Sequence, residues 1–133
     1  MDRINAAFTA ALAAFAEAQG IPVGWSNISF VPPLAPHLRP ALRPEMPQLA
    51  ELGSGGLTRH NGSFVVDVVT PAGEGEARAR DMASALLRTF KRGQSLGLDG
   101  LTLKTGGAAL PAIKDGRYVL PVVIPYYAYL REE

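Results

Sequence analysis

The sequence contains no cysteine among its 133 residues. A disulfide framework, a thiolate nucleophile and a cysteine-ligated metal site are therefore excluded, and stability must come from packing or assembly. An excess of charge of one sign is also missing, because 13 basic and 12 acidic residues leave a formal net charge of +1. The bulk charge therefore gives no indication of a protein that binds nucleic acid or an anionic membrane.

Clusters of histidine and carboxylate side chains are missing as well. Neither His37 nor His60 has a partner at metal-ligand spacing, and no two carboxylates are spaced so that they would meet in a pocket. No nucleophile, base and orienting group can be assigned. We therefore predict a protein without catalytic residues, cofactors or metal sites, which is not an enzyme.

Two glycine-rich stretches imitate chemical motifs without completing them. The Gly-x-Gly turn at residues 73–75 precedes a helix-like run, but a dinucleotide fingerprint needs a third glycine where Arg78 stands. Glu74 and Glu76 also occupy the helix start, where a phosphate would bind, so we interpret the turn as a joint between two elements. The G-x-S-x-G match at residues 93–97 follows a helix, whereas a nucleophile elbow follows a strand, and we interpret it as accidental.

The length of the chain predicts a single domain, residues 1–133. We expect one amphipathic helix from about residue 2 to 19, with Gly20 at its end, and a second helix after the turn at residues 73–75. Charged and polar residues interrupt the first apolar run, which argues against a signal peptide or a membrane span. The second helix has an apolar face made of Ala79, Met82, Ala83, Leu86, Leu87 and Phe90.

Short runs of β-forming residues account for much of the remaining chain. "VGWSNISFVPP" has the period-two pattern of a strand, and "GGLTRHNGSFVVDVVTP" is predicted to form a hairpin that turns at Asn61 and Gly62. A strand in "LDGLTLKTGG" precedes two more strands, in "ALPAIKDGRYVLPVVIPYYAYL", which turn at Asp115 and Gly116. The sequence therefore predicts an α+β fold, with a mostly antiparallel sheet of about six strands packed by two main helices.

Prolines dominate the stretch between residues 32 and 47. This stretch contains six prolines, which exclude a long helix and a central strand because proline lacks the backbone donor that both require. We expect an extended proline-rich arm at about residues 32–47, or a short edge strand within a loop.

Basic residues are scattered along the sequence. The predicted loops and hairpins contain Arg39, Arg43, Arg59, Lys104 and Lys114. A nucleic-acid surface would interleave basic with aromatic side chains, and the sequence shows no such interleaving. We therefore interpret these five side chains as solvated charges.

The last strand has an unusual pattern of prolines. Pro121 and Pro125 are separated by an even number of positions, so their missing backbone donors lie on the same side of the strand. That side cannot form a regular ladder of hydrogen bonds. Apolar side chains occur at both the odd-numbered and the even-numbered positions, so both faces of the strand are apolar. A small domain does not leave such a face in water, so either both helices or a neighbouring subunit must cover it.

The order of several segments carries a resemblance to a known family. The helix that ends near Gly20 is followed by "PVGWSNISFVPP", close to a Pro-x-x-Trp-x-Asn-x-x-Phe-x-Pro run, and by the proline-rich stretch around residues 36–38. "GSFVVDVVTPAGEGEARARDMASALLRTF" places a Gly-x-x-x-Val-Asp-Val strand before a Pro-x-Gly-x-Gly turn and a helix that ends in Phe, and "DGRYVLPVVIPY" follows near the end. Over most of its length, the chain resembles the tail terminator (tail-completion) proteins of long-tailed bacteriophages and phage-like particles.

The resemblance implies a structural protein of the virion or phage-like particle that is assembled in the bacterial cytoplasm, without a cofactor or a membrane contact. It implies a homo-oligomeric ring, a hexamer, on the head-proximal end of the tail tube. This ring would stop polymerisation of the tail tube protein and present a surface to the head-tail connector protein. DNA would be a partner only as it passes through the lumen.

Two hypotheses assign specific residues to the interfaces that such a ring would need. The apolar last strand would form a subunit interface through Val119, Val123, Tyr127 and Tyr129. The arm, extended and poor in internal hydrogen bonds, would contact the tail tube or a neighbouring subunit through Leu38, Arg39, Leu42, Arg43 and Leu49. Alternatively, Arg39 and Arg43 would face the lumen.

Two other kinds of function stay open at the level of the sequence. A small α+β ligand-binding or enzymatic domain would need a pocket with polar groups, and the turn at residues 73–75 is the one glycine-rich turn with polar neighbours. A generic oligomeric adaptor without a link to phages would need only an interface.

Overall fold

A computed structural model describes residues 3–25, 36–45, 48–49, 57–73, 76–114 and 116–131. Its two helices are α1 (Arg3–Gln19) and α2 (Glu76–Thr89). Its strands are β1 (His37–Pro44), β2 (Gln48–Leu49), β3 (Leu57–Pro71), β4 (Leu101–Leu103), β5 (Gly107–Ala108), β6 (Ala112–Lys114) and β7 (Arg117–Arg131). The predicted α+β class and both predicted helices are confirmed.

The strands form one antiparallel sheet around two long central strands. The order across the sheet is β1-β3-β7-β4, with β2 beside β3 and with β5 and β6 beside β7. β3 and β7 pair along their whole length, from Leu57 opposite Arg131 to Pro71 opposite Arg117. β6 and β7 pair from Ala112 opposite Val119 to Lys114 opposite Arg117. Of the turn predicted at Asp115 and Gly116, Gly116 lies in a turn and Asp115 lies outside the described residues.

The predicted hairpin turn at Asn61 and Gly62 is wrong. Both residues lie inside the continuous strand β3, opposite Tyr127 and Tyr126 of β7. A Cβ atom at Gly62 would come within 2.6 Å of the Arg43 carbonyl oxygen and 2.7 Å of Tyr126 Oη. Glycine is therefore required here because neighbouring groups approach the backbone closely, and not because the chain turns.

The prolines of β7 interrupt the ladder on one side, as the sequence predicts. The carbonyl oxygen of Pro125 accepts a hydrogen bond from the Lys104 N–H, and that of Pro121 accepts one from the Ala109 N–H, both at 2.8 Å. The N and C=O groups of one strand residue point to the same side, so both missing donors face β4, β5 and β6. That side is divided into three short strands, whereas the β3 side is continuous.

One face of the sheet and the apolar stripes of both helices enclose the core. Alternate residues of β7, from Tyr118 to Leu130, are buried on this face. Phe8 of α1 is fully buried, and its ring centroid lies 4.6 Å from that of Phe64 and 5.4 Å from that of Tyr126. The helices therefore cover one apolar face of β7, and the other face is left without a helix among the described residues.

Within the predicted proline-rich arm, residues 37–44 form the edge strand β1. Residues 32–35 and 46–47 lie outside the described residues. All eight residues of β1 pair with β3, so the expectation of an arm poor in internal hydrogen bonds is wrong for this segment. The sheet accepts these prolines because β1 is an edge strand, which needs donors on one side only.

Candidate interaction surfaces

The side of the sheet opposite the helices, here called the open face, brings the predicted interface residues together. Val119, Val123 and Tyr127 are half-buried on this face, and Tyr129 is 39% exposed. Val65 of β3 lies opposite Val123 and continues the apolar strip. The four residues predicted for a subunit interface therefore share one surface, because alternate residues of a strand point to the same side.

The five basic residues that are scattered along the sequence also lie on the open face, where all but the half-buried Arg59 are exposed, as expected of solvated charges. Arg39 pairs with Asp67, Arg43 with Ser63, Arg59 with Tyr129 and Lys114 with Arg117. Lys104 places its Nζ atom 5.8 Å from the centroid of the Tyr127 ring. The sequence did not reveal this grouping because it depends on the register of strands that are far apart in the chain.

Arg59 and its neighbours form a fixed cluster at one end of the open face. The Arg59 Nε atom donates to Asn61 Oδ1 at 3.0 Å, and Nη1 donates to Tyr129 Oη at 2.8 Å. The guanidinium carbon also lies 4.9 Å from the ring centroid of Tyr127 and 5.4 Å from that of Tyr129. Sequence reasoning missed this cluster because Asn61 had been assigned to a turn.

Asp67 lies in a concavity of about 480 Å³ at the other end of the open face. Partial burial raises the pKa of the Asp67 carboxyl, and the positive charges of Arg43, Arg39 and Lys114 lower it in part. The concavity is lined by Arg43, Ser63, Val65, Asp67, Ala112, Lys114, Val119, Pro121 and Val123. A mainly apolar floor with charges at its margin suits contact with another macromolecule.

The residues predicted for the arm are divided between two faces of the sheet. Leu38 is fully buried on the helix side, so it cannot contact a partner while β1 stays in place. Leu42 is half-buried on the same side. Arg39 and Arg43 lie on the open face, and the backbone of Leu49 pairs with Thr58 in β2.

A further apolar surface, not found in the sequence, lies at the edge of the sheet beyond β7. Residues 108–113, here called the tip segment, are all exposed. Leu110 is 89% exposed and Ile113 is 69% exposed. Sequence reasoning assigns these apolar residues to a strand, and no local pattern indicates that they are left exposed in the described part of the chain.

The chemical motifs considered in the sequence have structural roles where they are described. Glu76 accepts a hydrogen bond from Arg80 Nη2 at 2.7 Å within the first turns of α2, while Glu74 and Gly75 lie outside the described residues. Ser95 is exposed in a turn between α2 and β4. Within the described residues, no three His, Asp or Glu side chains are grouped as metal ligands. No helix of the described part is long and apolar enough to cross a membrane.

A family comparison extends over most of this chain. Residues 3–126 match a family described as "Phage tail terminator protein". The chain belongs to the phage tail terminator family. One solved structure without a functional description is 27% identical to this terminator, with a TM-score of 0.76 over 98% of this chain and 96% of the other. Among the curated proteins, none matches the sequence.

Membership in this family gives the terminator a structural role in the phage tail. It is a component of the virion tail and interacts with other tail or head components. The family is structural, which favours a protein without catalytic activity. The open face, the β1 edge and the tip segment are therefore candidate surfaces for assembly.

Proposed function

We propose that this terminator forms a ring, a hexamer, on the head-proximal end of a phage-type tail tube. The ring stops polymerisation of the tail tube protein and provides the surface that joins the tail to the head-tail connector protein. DNA meets the ring only as it passes through the lumen. Assembly takes place in the bacterial cytoplasm.

The observation that carries this proposal is the two-sided apolar character of the sheet. The helices bury one face, while Val119, Val123 and Tyr127 remain half-buried on the other. A contiguous apolar strip at the surface of a small protein marks a site of association. We place a subunit interface on the open face, at Val119, Val123, Tyr127 and Tyr129.

The β1 side of the molecule is the proposed contact with the tail tube or with a neighbouring subunit. The side chain of Leu42 lies on the helix side of this edge, and those of Arg39 and Arg43 lie on the open face. The edge continues in β2, which contains Leu49. Arg39 and Arg43 lie beside the half-buried Asp67, so part of their charge is balanced within the subunit. The same two arginines would line the lumen if the open face turned inward.

The substitution Val123→Asp tests the ring interface. A carboxylate at the centre of the apolar strip would have to lose its water on assembly, so the variant should remain folded and become monomeric. Ala18→Asp, on the exposed surface of α1, is the matched control and should keep the mass of the wild-type ring. Light scattering gives the mass, which for a hexamer is roughly six times 14.1 kDa, and circular dichroism reports the fold. An unchanged mass for folded Val123→Asp protein would exclude this interface.

The capping activity needs a separate measurement. Purified tail tube protein should polymerise into tubes whose mean length in electron micrographs falls when wild-type terminator is added. Monomeric Val123→Asp protein should shorten the tubes less at the same concentration. Tubes that keep their length with the wild-type terminator would contradict the proposed function.

A further inference from the structure

Two apolar surfaces at opposite edges of the sheet have no partner within the described fold. The tip segment lies beyond β7 at one edge. A groove of about 620 Å³ lies between α1 and β1 at the other edge. The sheet order places β3 and β7 between them, so one chain cannot bring its own tip segment to its own groove.

The tip segment is anchored to β7 at both ends. β5 pairs with Val122 and Val123, and β6 pairs with residues 117–119 of β7. The Ala109 N–H donates to the Pro121 carbonyl oxygen at 2.8 Å, so Leu110 projects from an anchored bend. Pro111 restricts the backbone directly after Leu110. The most exposed large apolar side chain of the described fold is therefore presented in a restrained position.

The groove suits an apolar side chain because none of the described residues that line it is charged. Ala6, Ala10 and Ala13 recur along α1 and leave space beside the strand. The Thr9 hydroxyl donates to the Ala6 carbonyl oxygen at 3.1 Å, so its donor is already used within the helix. The lining is Asn5, Ala6, Thr9, Ala10, Ala13, Trp25, Pro40, Ala41, Leu42 and Phe64.

The outer edge of β1 restricts how the groove can be filled. The Leu38 N–H donates outward to the Pro22 carbonyl oxygen, and the Leu38 carbonyl oxygen accepts from the Gly24 N–H. Backbone groups alternate along a strand, so Pro40 and Pro44 also face outward and offer no donor there. An added strand would find few hydrogen bonds, and the occupant must bind through its side chains.

We infer that the tip segment of one copy inserts Leu110 into the α1–β1 groove of a second copy. Each chain carries both halves of the contact, on opposite edges, so the contact is head-to-tail. Head-to-tail contacts close into a ring when the rotation between neighbours closes. This inference rests on the proposed ring and specifies two surfaces that meet between neighbouring subunits, in addition to the open face.

Cysteine cross-linking tests this contact in a chain that has no cysteine of its own. Leu110→Cys combined with Ala10→Cys should give, on oxidation, a ladder of covalent oligomers under denaturing electrophoresis. Each single variant should stay monomeric on the same gel. The matched control combines Leu110→Cys with Ala18→Cys, which is exposed on α1, further from Ala10 and outside the groove lining, and should give no ladder.

The outcomes separate this inference from the proposed function. A ring in light scattering without a ladder from the Leu110 and Ala10 pair would overturn the contact and leave the ring intact. A covalent dimer from Leu110→Cys alone would show a symmetric contact and would also overturn it. Monomers at all concentrations, with and without tail tubes, would contradict both proposals.

The substitution Leu110→Asp provides a second test without cross-linking. The side chain is 89% exposed, so the circular dichroism spectrum should not change. The ring should dissociate to monomers, because the new carboxylate would enter a groove whose described lining offers it no cation. A variant that keeps the ring mass but no longer joins heads to tails would assign the tip segment to the connector and overturn the inference.

Discussion

Arg59 of β3 and Tyr129 of β7 lie directly opposite each other on the open face, and Arg59 Nη1 donates a 2.8 Å hydrogen bond to Tyr129 Oη. The same guanidinium lies over the Tyr127 ring. These contacts join the two central strands near their ends and orient two tyrosines of the proposed interface. The open face is therefore organised before any partner binds.

The contribution of this pair to stability can be measured by a double-mutant cycle. Tyr129→Phe removes the hydrogen bond and keeps the ring, while Arg59→Ala removes both contacts. Because Tyr129→Phe keeps the ring, the cycle isolates the hydrogen bond, for which we expect a coupling free energy of about 1 kcal/mol from urea unfolding of the monomer. Val123→Asp serves as the monomeric background. A coupling near zero would mean that the two side chains do not hold each other in solution.

Gly62→Ala should destabilise the protein although alanine is small. The added Cβ would meet the Arg43 carbonyl oxygen and Tyr126 Oη at distances well below van der Waals contact. Forcing a methyl group into such a site costs about 1 to 3 kcal/mol, measured as the free energy of unfolding in urea. Ser63→Ala, at the next position, is the control and should change stability less. Equal stability of Gly62→Ala and wild type would contradict the close approach described here.

Elements of this fold that depend on neighbouring residues could be predicted from the sequence, whereas pairings between distant segments could not. α1 and α2 could be predicted because the spacing of their apolar residues is visible within one segment. The broken ladder of β7 could be predicted because Pro121 and Pro125 lack a backbone donor whatever lies beside them. The turn predicted at Asn61 and Gly62 was wrong because a preference of two adjacent residues is overridden by the pairing of β3 with β7, which joins distant segments. The grouping of basic residues on the open face follows from the same pairing and has no local signal.

The stability of the monomer should depend on the ionisation of Asp67. The pKa of Asp67 is raised in the folded state, so folding favours the protonated carboxyl. The contribution of Asp67 to the free energy of unfolding is therefore greatest below its unfolded pKa of about 3.8, and it is lost as the pH rises through its folded pKa. Asp67→Asn has no such loss, so its stability relative to wild type should increase between pH 3 and pH 7, measured by urea unfolding at each pH.

The control for Asp67→Asn is Asp99→Asn, which removes an exposed carboxylate in a turn. Its stability relative to wild type should change less over the same pH range. The opposite trend for Asp67→Asn, a relative loss of stability with rising pH, would mean that attraction to Arg43, Arg39 and Lys114 outweighs the cost of burial.

The prolines of β1 should protect the sheet edge against unwanted strand pairing. Replacement of Pro40 and Pro44 by threonine restores two outward backbone donors on an edge strand that already offers carbonyl acceptors. Exposed edges with both donors and acceptors promote pairing between chains, so the double variant should aggregate faster and bind more thioflavin T than wild type. Ala41→Thr and Arg43→Thr form the matched control, because their backbone groups already face β3. Equal aggregation of the two double variants would show that the prolines are tolerated at this edge without protecting it.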